Sequence, residues 1–439
     1  MDINFRIIKQ GVKVRFDNKN FYLKYPEEIW KVYPYKDVLL DNFAYVSSVN
    51  LPLIARKNKL VYNTGKPVIK KLVNKIILGN IPNSVEDYRS NTNKTIKRFL
   101  NIKYMFSFKD KEVEFKESLS ENCVIPFSCG KDSLLTLGIC NEIGLKPVCI
   151  YVNDTVSPAE NNLKLKHNKK ISKEFNLKSI IIKNEIEQLN DFEYWNKGET
   201  CLGYSHMTTG FCLLSLPIMY YFDKKYVIFG NQQDMNFSFI NKDGYKSYPS
   251  FDQSDIGENL IDKIIKRLTN NHAGIFSVIK PLTNIAVTKI LFGRYSNLAK
   301  YQISCDCLNA SNEERWCHDC NKCARLFLFM KAFGFDSRLV GLRNLFGKEF
   351  LKYYSLFKKQ DCYEKSEESR DQQLLAYYLA YKNKEKGYLI DYFKRNYLQE
   401  AKEREDELYN KFFKIYSYDM PNRVKNKVLS IYKEELSNV

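Results

Sequence analysis

The chain has 439 residues, of which 44% are hydrophobic and 27% charged, a globular balance in a length that predicts two or three domains rather than one core. No stretch reaches the roughly 18–20 uninterrupted apolar residues of a membrane span, and the longest apolar-leaning run, Phe211 to Phe222, contains Ser215 and Pro217. The start Met1-Asp2-Ile3-Asn4 has no basic region followed by an apolar one, so neither a secretory signal nor a membrane partner is expected and the cytoplasm is the expected compartment. The net charge of +18 attracts phosphate-bearing ligands, but it is spread along the chain with no dense Lys/Arg block and no basic arm, which makes nucleic acid a secondary expectation.

Residues 1 to about 47 predict a β-hairpin unit. Val12, Val14 and Phe16 alternate, the turn-forming Asp17-Asn18-Lys19-Asn20 follows, and Phe21, Leu23 and Tyr25 alternate again. Residues 48–120 read as mostly helical, with a short strand pair near Tyr104 to Phe115. From Cys123 the pattern changes to strand–helix alternation. Strands are predicted at 124–127, 147–152, 179–182 and 226–229, and helices at 133–143, 161–175 and 205–222. Such alternation predicts an α/β fold with a doubly wound parallel sheet, whose ligands bind at the carboxyl ends of the strands. The loops after Phe127, Val152 and Phe229 are therefore expected to share one cleft. Helices are predicted over Tyr377–Tyr397 and Ala401–Tyr416, with Lys402-Glu403-Arg404-Glu405-Asp406-Glu407 as a solvated face. Three segments result: an N-terminal unit (1–120), a nucleotide-binding domain (121–336) and a helical C-terminal region (337–439).

Ser128-Cys129-Gly130-Lys131-Asp132-Ser133 lies between a predicted strand and a predicted helix. Backbone N–H groups at a helix N-terminus form an anion site, helped by the helix dipole. Gly130 permits close approach to phosphates, Ser128 and Ser133 offer hydroxyl donors, Lys131 adds positive charge, and Asp132 caps the helix or holds Mg2+. Val152-Asn153-Asp154 and Gly230-Asn231 end later strands and are further nucleotide-contact candidates.

Five of the 12 cysteines fall between Cys305 and Cys323. Cys317-x2-Cys320-x2-Cys323, with Cys305 or Cys307 as a fourth ligand, has the spacing of a closed, structural Zn2+ site. Lys322, Arg315 and Arg325 offset the thiolate charge in this reading. The remaining cysteines read as small buried hydrophobes.

The phosphate loop resembles the S-G-G-x-D-S loop of the ATP pyrophosphatase (PP-loop) superfamily, with Cys129 in place of the first glycine. That resemblance implies an adenine nucleotide α-hydrolase-like fold in which ATP is split to AMP and pyrophosphate while a substrate is adenylated. Lys280-Pro281-Leu282 followed by Lys289 resembles the superfamily's P-L-x-x-x-x-K segment, with the lysine two residues further on. Within the superfamily, Arg315-Trp316-Cys317-His318-Asp319-Cys320-Asn321-Lys322-Cys323 resembles the R-W-C-G-D-C-P-K-C stretch of the ATP-dependent muramoyl-dipeptide glutamate epimerases. Phe276 to Thr283, Gly230-Asn231, and Cys362 with Glu367-Glu368-Ser369-Arg370 resemble further stretches of that family, and the likeness runs from about residue 123 to 371.

The resemblance implies a peptidyl sugar-nucleotide substrate whose terminal L-glutamyl carboxylate is adenylated and whose α-carbon then exchanges its proton. It points to His206, in Gly203-Tyr204-Ser205-His206, as the catalytic base, with Glu199 second and Lys131 assisting at the phosphates. Ser304-Cys305 with the C-x2-C-x2-C run is also similar to the 7-cyano-7-deazaguanine synthases, which implies ammonia-dependent nitrile formation as the alternative. A tRNA-thiolating enzyme using Cys129 or Cys201, and a nucleotide-binding regulator without turnover, complete the readings. No sequence feature sets the oligomeric state.

Overall fold

The computed structural model describes residues 1–437 apart from 89, 156–157, 192, 196–200, 305–314 and 359–363. Its strands are β1 (Asp2–Ile8), β2 (Gly11–Phe16), β3 (Lys19–Lys24), β4 (Lys59–Gly65), β5 (Lys103–Phe108), β6 (Cys123–Pro126), β7 (Val148–Asp154), β8 (Lys178–Asn184), β9 (Tyr226–Phe229), the small pair β10 (Phe239–Ile240) and β11 (Lys246–Ser247), and β12 (Gly274–Ser277). Ten of them form one sheet in the order β12-β9-β6-β7-β8-β3-β2-β1-β4-β5. The run from β12 to β8 is parallel throughout, as is β1-β4-β5, and the antiparallel hairpins β1-β2-β3 join the two stretches. The fold is α/β with a large, mostly parallel central sheet.

The sequence explains the central strands. Parallel strands covered on both faces read as continuous apolar runs, and Cys123-Val124-Ile125 is buried at every position. Cys123, Ile125, Cys149, Ile228 and Phe276 feed one core, while Val124, Val148, Ile150, Val227 and Ile275 feed the other. The helices Lys131–Glu142 and Asn284–Arg294 supply the first core; Met207–Tyr221 and Asp255–Leu268 supply the second. The segment 1–120 is part of the same sheet, because β3 pairs with β8 at Leu23↔Asn184 and Lys24↔Lys183.

The hairpin is as the alternation predicts, closed by Asp17 and Asn18 at φ 48° and 58°, the left-handed pair of a two-residue turn matched to strand twist. The strand pair expected near Tyr104 to Phe115 is different. Only Lys103–Phe108 is a strand, and its partner is β4, in parallel. β4, the helix Asp255–Leu268 and β12 lie outside the predicted elements, although the helix carries an apolar stripe, Ile261, Ile264, Ile265 and Leu268, that packs into the second core. The helix expected over Tyr377–Tyr397 is two helices, Glu367–Lys382 and Tyr388–Asn396, separated at Gly387 (φ 145°). The Lys402–Glu407 run is only in part a solvated face. Arg404 sits between two helices and pairs with the buried Asp371 at 2.6 Å. No described helix is long and apolar enough to cross a membrane.

Candidate functional site

Two clefts open at the carboxyl ends of the strands and meet at Asp132 and Gln253. The larger, about 670 Å³, is walled by the ends of β6, β7 and β9, and includes Phe127, Ser128, Ser133, Ile150, Tyr151, Val152, Asp154, Phe229 and Gly230. The three strand-end loops do converge on it. The smaller, about 230 Å³, lies on the other side of Lys131 and Asp132.

The loop between the clefts forms as its residues dictate. β6 delivers the chain to Phe127, whose N–H bonds to Ile150 O at 2.8 Å. Cys129 then turns with φ 58°, the left-handed region, and is fully buried. This is the position at which the resembled loop carries glycine, and the thiol bearer adopts the glycine conformation at a cost of about 1–2 kcal/mol. Cys129 O accepts from Ile303 N at 2.8 Å, which ties the loop to the segment preceding the cysteine run. Burial pushes the Cys129 thiol up to about 12, so it is a neutral packing group and not a nucleophile. Gly130 is the N-cap of the Lys131–Glu142 helix, and a Cβ there would approach Ser128 Oγ to 3.2 Å and Ser304 Oγ to 3.7 Å. Ser133 Oγ donates to Gly130 O at 3.0 Å. Gly230 is required for a different reason. A Cβ on it would lie 2.9 Å from the Asp132 backbone carbonyl carbon, so only glycine lets β9 end against the phosphate-loop helix.

Lys131 is buried and extends into the smaller cleft, 2.5 Å from Asp132 Oδ1 and 3.2 Å from Gln232 Oε1. Burial pulls its pKa down and Asp132 opposes that shift. Four helices present residues of their first two turns to this cleft: Lys131–Glu142 with Lys131 and Asp132, Asn284–Arg294 with Asn284, Asn321–Ala332 with Lys322 and Arg325, and Glu367–Lys382 with Ser369 and Gln372. The helix dipoles add to the charge of Lys131, Lys322 and Arg325, of which Lys131 is paired with Asp132 and Arg325 with Glu364. Asp234 accepts Asn284 N at 2.7 Å and a bond from Gln372, and burial raises its pKa. Asn284 Oδ1 and Gln302 Oε1, both buried in the cleft wall, have no hydrogen-bond partner among the described residues. An amide turned over by 180° would present N–H donors from the same places.

The other expected residues divide. Asn231 lines the larger cleft but donates its Nδ2 to the buried Glu258 at 2.7 Å. Asn153 does not line either cleft, although Tyr151, Val152 and Asp154 of the same strand do. His206 caps the Met207–Tyr221 helix with its side chain 1% exposed, behind the cleft wall, and its Nε2 is 3.2 Å from Glu187 Oε2. Glu187 is the group of that pair that reaches the cleft. Lys289 points away and donates to Glu435 O at the far end of its helix. Lys280 is buried instead near Glu258 (3.8 Å) and donates to Gln253 O at 2.5 Å. Arg315 donates to Lys300 O and is not in the cleft. Glu199, Cys305, Cys307 and Cys362 lie outside the described residues, as does the Cys201 side chain.

Cys317, Cys320 and Cys323 bring their sulfurs within 4.8 Å of one another, with Cys317 and Cys323 3.8 Å apart. A tetrahedral zinc with Zn–S of about 2.3 Å separates its sulfurs by about 3.8 Å, so the set can hold a metal ion. Asp319 N donates to Cys317 Sγ at 3.3 Å and Cys323 N to Cys320 Sγ at 3.4 Å, an arrangement that suits thiolates. His318, at the place of the resembled motif's glycine, also has a left-handed backbone, φ 57°. Both substitutions of an expected glycine thus keep the glycine conformation.

The sequence reading did not single out Asp234, Asn284, Gln302 or Glu187 and gave Lys322 and Arg325 only to the thiolates. For Asp234, Asn284, Glu187 and Lys322 the single sequence signal is position, at the start of a helix or helical turn; Gln302 and Arg325 have not even that. Compared with known proteins, the chain matches no family model and no curated protein.

Proposed function

We propose that the protein is an ATP pyrophosphatase of the PP-loop kind, built on a doubly wound sheet, that adenylates a substrate carboxylate. One observation carries the reading. The strand–loop–helix segment 123–142 stands between a large, partly apolar cleft and a small cationic one toward which four helix N-termini point. Adenosine fits the first, against Phe127, Ile150, Val152 and Phe229. The β- and γ-phosphates fit the second, against Lys131, Lys322 and Arg325, where the wall amides Asn284 and Gln302 have bonding capacity left over. The α-phosphate then lies at the junction beside Asp132.

In this arrangement a substrate carboxylate oxygen attacks the α-phosphorus, the bond to the bridging oxygen of the β-phosphate breaks, and pyrophosphate leaves. Negative charge grows on the leaving group in the cleft that holds the cations, which lowers the barrier. Asp132 would share Mg2+ with phosphate oxygens, since that ion uses one or two carboxylates and keeps phosphates and waters as its other ligands; it supplies charge neutralisation. The three cysteines, with Cys305 or Cys307, would hold Zn2+ as a structural ion at the start of the helix that carries Lys322 and Arg325. The buried, neutral Cys129 gives no support to thiol transfer. Its left-handed backbone keeps the loop turned, which supports an enzyme over a nucleotide-binding regulator without turnover.

For the substrate we follow the cysteine-run likeness: a peptidyl sugar-nucleotide whose terminal L-glutamyl carboxylate is activated, loses and regains its α-proton, and is released by water with AMP. The test is to incubate the protein with ATP, Mg2+ and UDP-N-acetylmuramoyl-L-alanyl-L-glutamate in deuterated water. AMP with deuterium at the glutamyl α-carbon is the expected result. AMP without deuterium points to amidation, and AMP formed only with the deazaguanine carboxylate and ammonia replaces the substrate assignment.

A further inference from the structure

The larger cleft contains a carboxylate that nucleotide binding does not use. Glu187 sits on the short helical turn Ile186–Leu189 directly after β8, at the carboxyl end of the strand next to β7. Two anchors fix it. Asn184 Nδ2 donates to Glu187 Oε1 at 3.2 Å, while Asn184 Oδ1 accepts Ile186 N at 3.1 Å and sets the turn. From behind, His206 Nε2 approaches Oε2 to 3.2 Å. The Glu187 side chain lines the cleft and is 11% exposed against 1% for His206, whose ring does not line it; Oε2 is enclosed beside His206, which leaves Oε1 as the oxygen for a ligand in the cleft. Tyr204, Met207 and Thr208 line the same cleft, as do Ser128 and Ser133 of the phosphate loop.

A carboxylate held at a fixed angle, open on one side and backed by a buried imidazole, has the geometry of a proton-transfer group with a positioning residue. We propose that Glu187 is the residue that exchanges a proton with the bound, adenylated substrate, and that His206 positions it. The inference rests on the adenylation reading above. In the step itself, the substrate Cα–H bond breaks, its proton forms an O–H bond on Glu187, and the electron pair passes into the activated carboxyl as an enolate. Water returns a proton to the opposite face, and Glu187 loses its own to solvent.

The test uses the full chain with UDP-N-acetylmuramoyl-L-alanyl-L-glutamate, ATP and Mg2+ in deuterated water, and reads deuterium incorporated per AMP released. Glu187→Gln keeps the shape and the Asn184 and His206 contacts; the ratio is expected to fall about 100-fold or more, the usual loss on removing a general base. Glu187→Asp restores part of it. His206→Gln is expected to lower the ratio roughly 10-fold at an unchanged KM for the sugar-nucleotide, since His206 acts through the carboxylate. A wild-type ratio retained in Glu187→Gln overturns the assignment, as does a parallel loss of AMP and deuterium in a variant of wild-type Tm, which would make Glu187 a binding group. If the wild type itself releases no AMP, the adenylation reading fails first and the Glu187 assignment falls with it.

Discussion

Replacing Glu258 by glutamine should flatten the pH dependence of stability. Glu258 is 4% exposed beneath the end of β9, where it accepts Asn231 Nδ2 at 2.7 Å and the Tyr418 hydroxyl, with Lys280 Nζ at 3.8 Å. Burial pushes its carboxyl up to about 7; Lys280 and Asn231 oppose that shift, and Asp255 and Asp262 add to it. A carboxyl whose folded pKa is raised binds its proton more tightly in the native than in the unfolded state. Between the unfolded value of about 4.3 and the folded value, stability therefore falls as pH rises, and above the folded value it levels off. At 1.36 kcal/mol per pKa unit the full loss is on the order of 3 kcal/mol, and about 2 kcal/mol of it falls between pH 5.5 and pH 8. Denaturant unfolding of both proteins across that interval measures it. The stability of Glu258→Gln relative to wild type should rise by about 2 kcal/mol from pH 5.5 to pH 8. Parallel curves would refute the reasoning and place the Glu258–Lys280 pair among ordinary ionised pairs. The result bears on the site, because Glu258 fixes Asn231, and Ser277 Oγ donates to Asn231 O at 2.7 Å where β9 and β12 end at the cleft.

Three other outcomes are expected. Cys129→Val, which preserves apolar character but places a β-branched side chain at φ 58°, should cost about 2–3 kcal/mol in denaturant unfolding, while Cys129→Ala costs about 1 kcal/mol; equal losses would show that the left-handed backbone is not the constraint. Stripping metal with a chelator should lower Tm by roughly 5–10 °C, and Cys320→Ser should abolish that difference; a chelator shift under about 1 °C would deny the cysteine set a structural ion. Lys322→Gln should weaken pyrophosphate inhibition roughly 10-fold and reduce its salt dependence, with Tm nearly unchanged; unaltered inhibition would move the phosphates out of the smaller cleft.

What could be read in the sequence was whatever depends on local pattern. The hairpin around Asp17-Asn18, the phosphate loop between β6 and the Lys131–Glu142 helix, and the Cys317–Cys323 run each carry their geometry in adjacent residues. What could not be read depends on contacts distant in sequence. β4 and β5 are parallel neighbours separated by an intervening helix pair, so alternation near Tyr104 suggested a hairpin with the wrong partner. His206 and Glu187 are both polar residues beside strand or helix ends, and only the packing of the Met207–Tyr221 helix decides that the histidine is inside and the carboxylate outside. Lys289 and Lys280 show the same limit. Lys289, marked by the resemblance after Pro281-Leu282, is turned by helical periodicity toward Glu435. Asn284, Lys322 and Ser369 come from three separate helices, and a cleft made of first turns has no linear motif. The glycine departures at Cys129 and His318 were visible as departures; that both residues keep φ near +57° needed the backbone.

The most direct test of the central claim is the fate of the terminal phosphate. ATP labelled at the γ-position is incubated with the protein, Mg2+ and UDP-N-acetylmuramoyl-L-alanyl-L-glutamate, and the products are separated. The account predicts label in pyrophosphate, with AMP formed in equal amount, and loss of both in Lys131→Met. Label appearing as orthophosphate alongside ADP would place the cleavage at the wrong bond and contradict the proposed function.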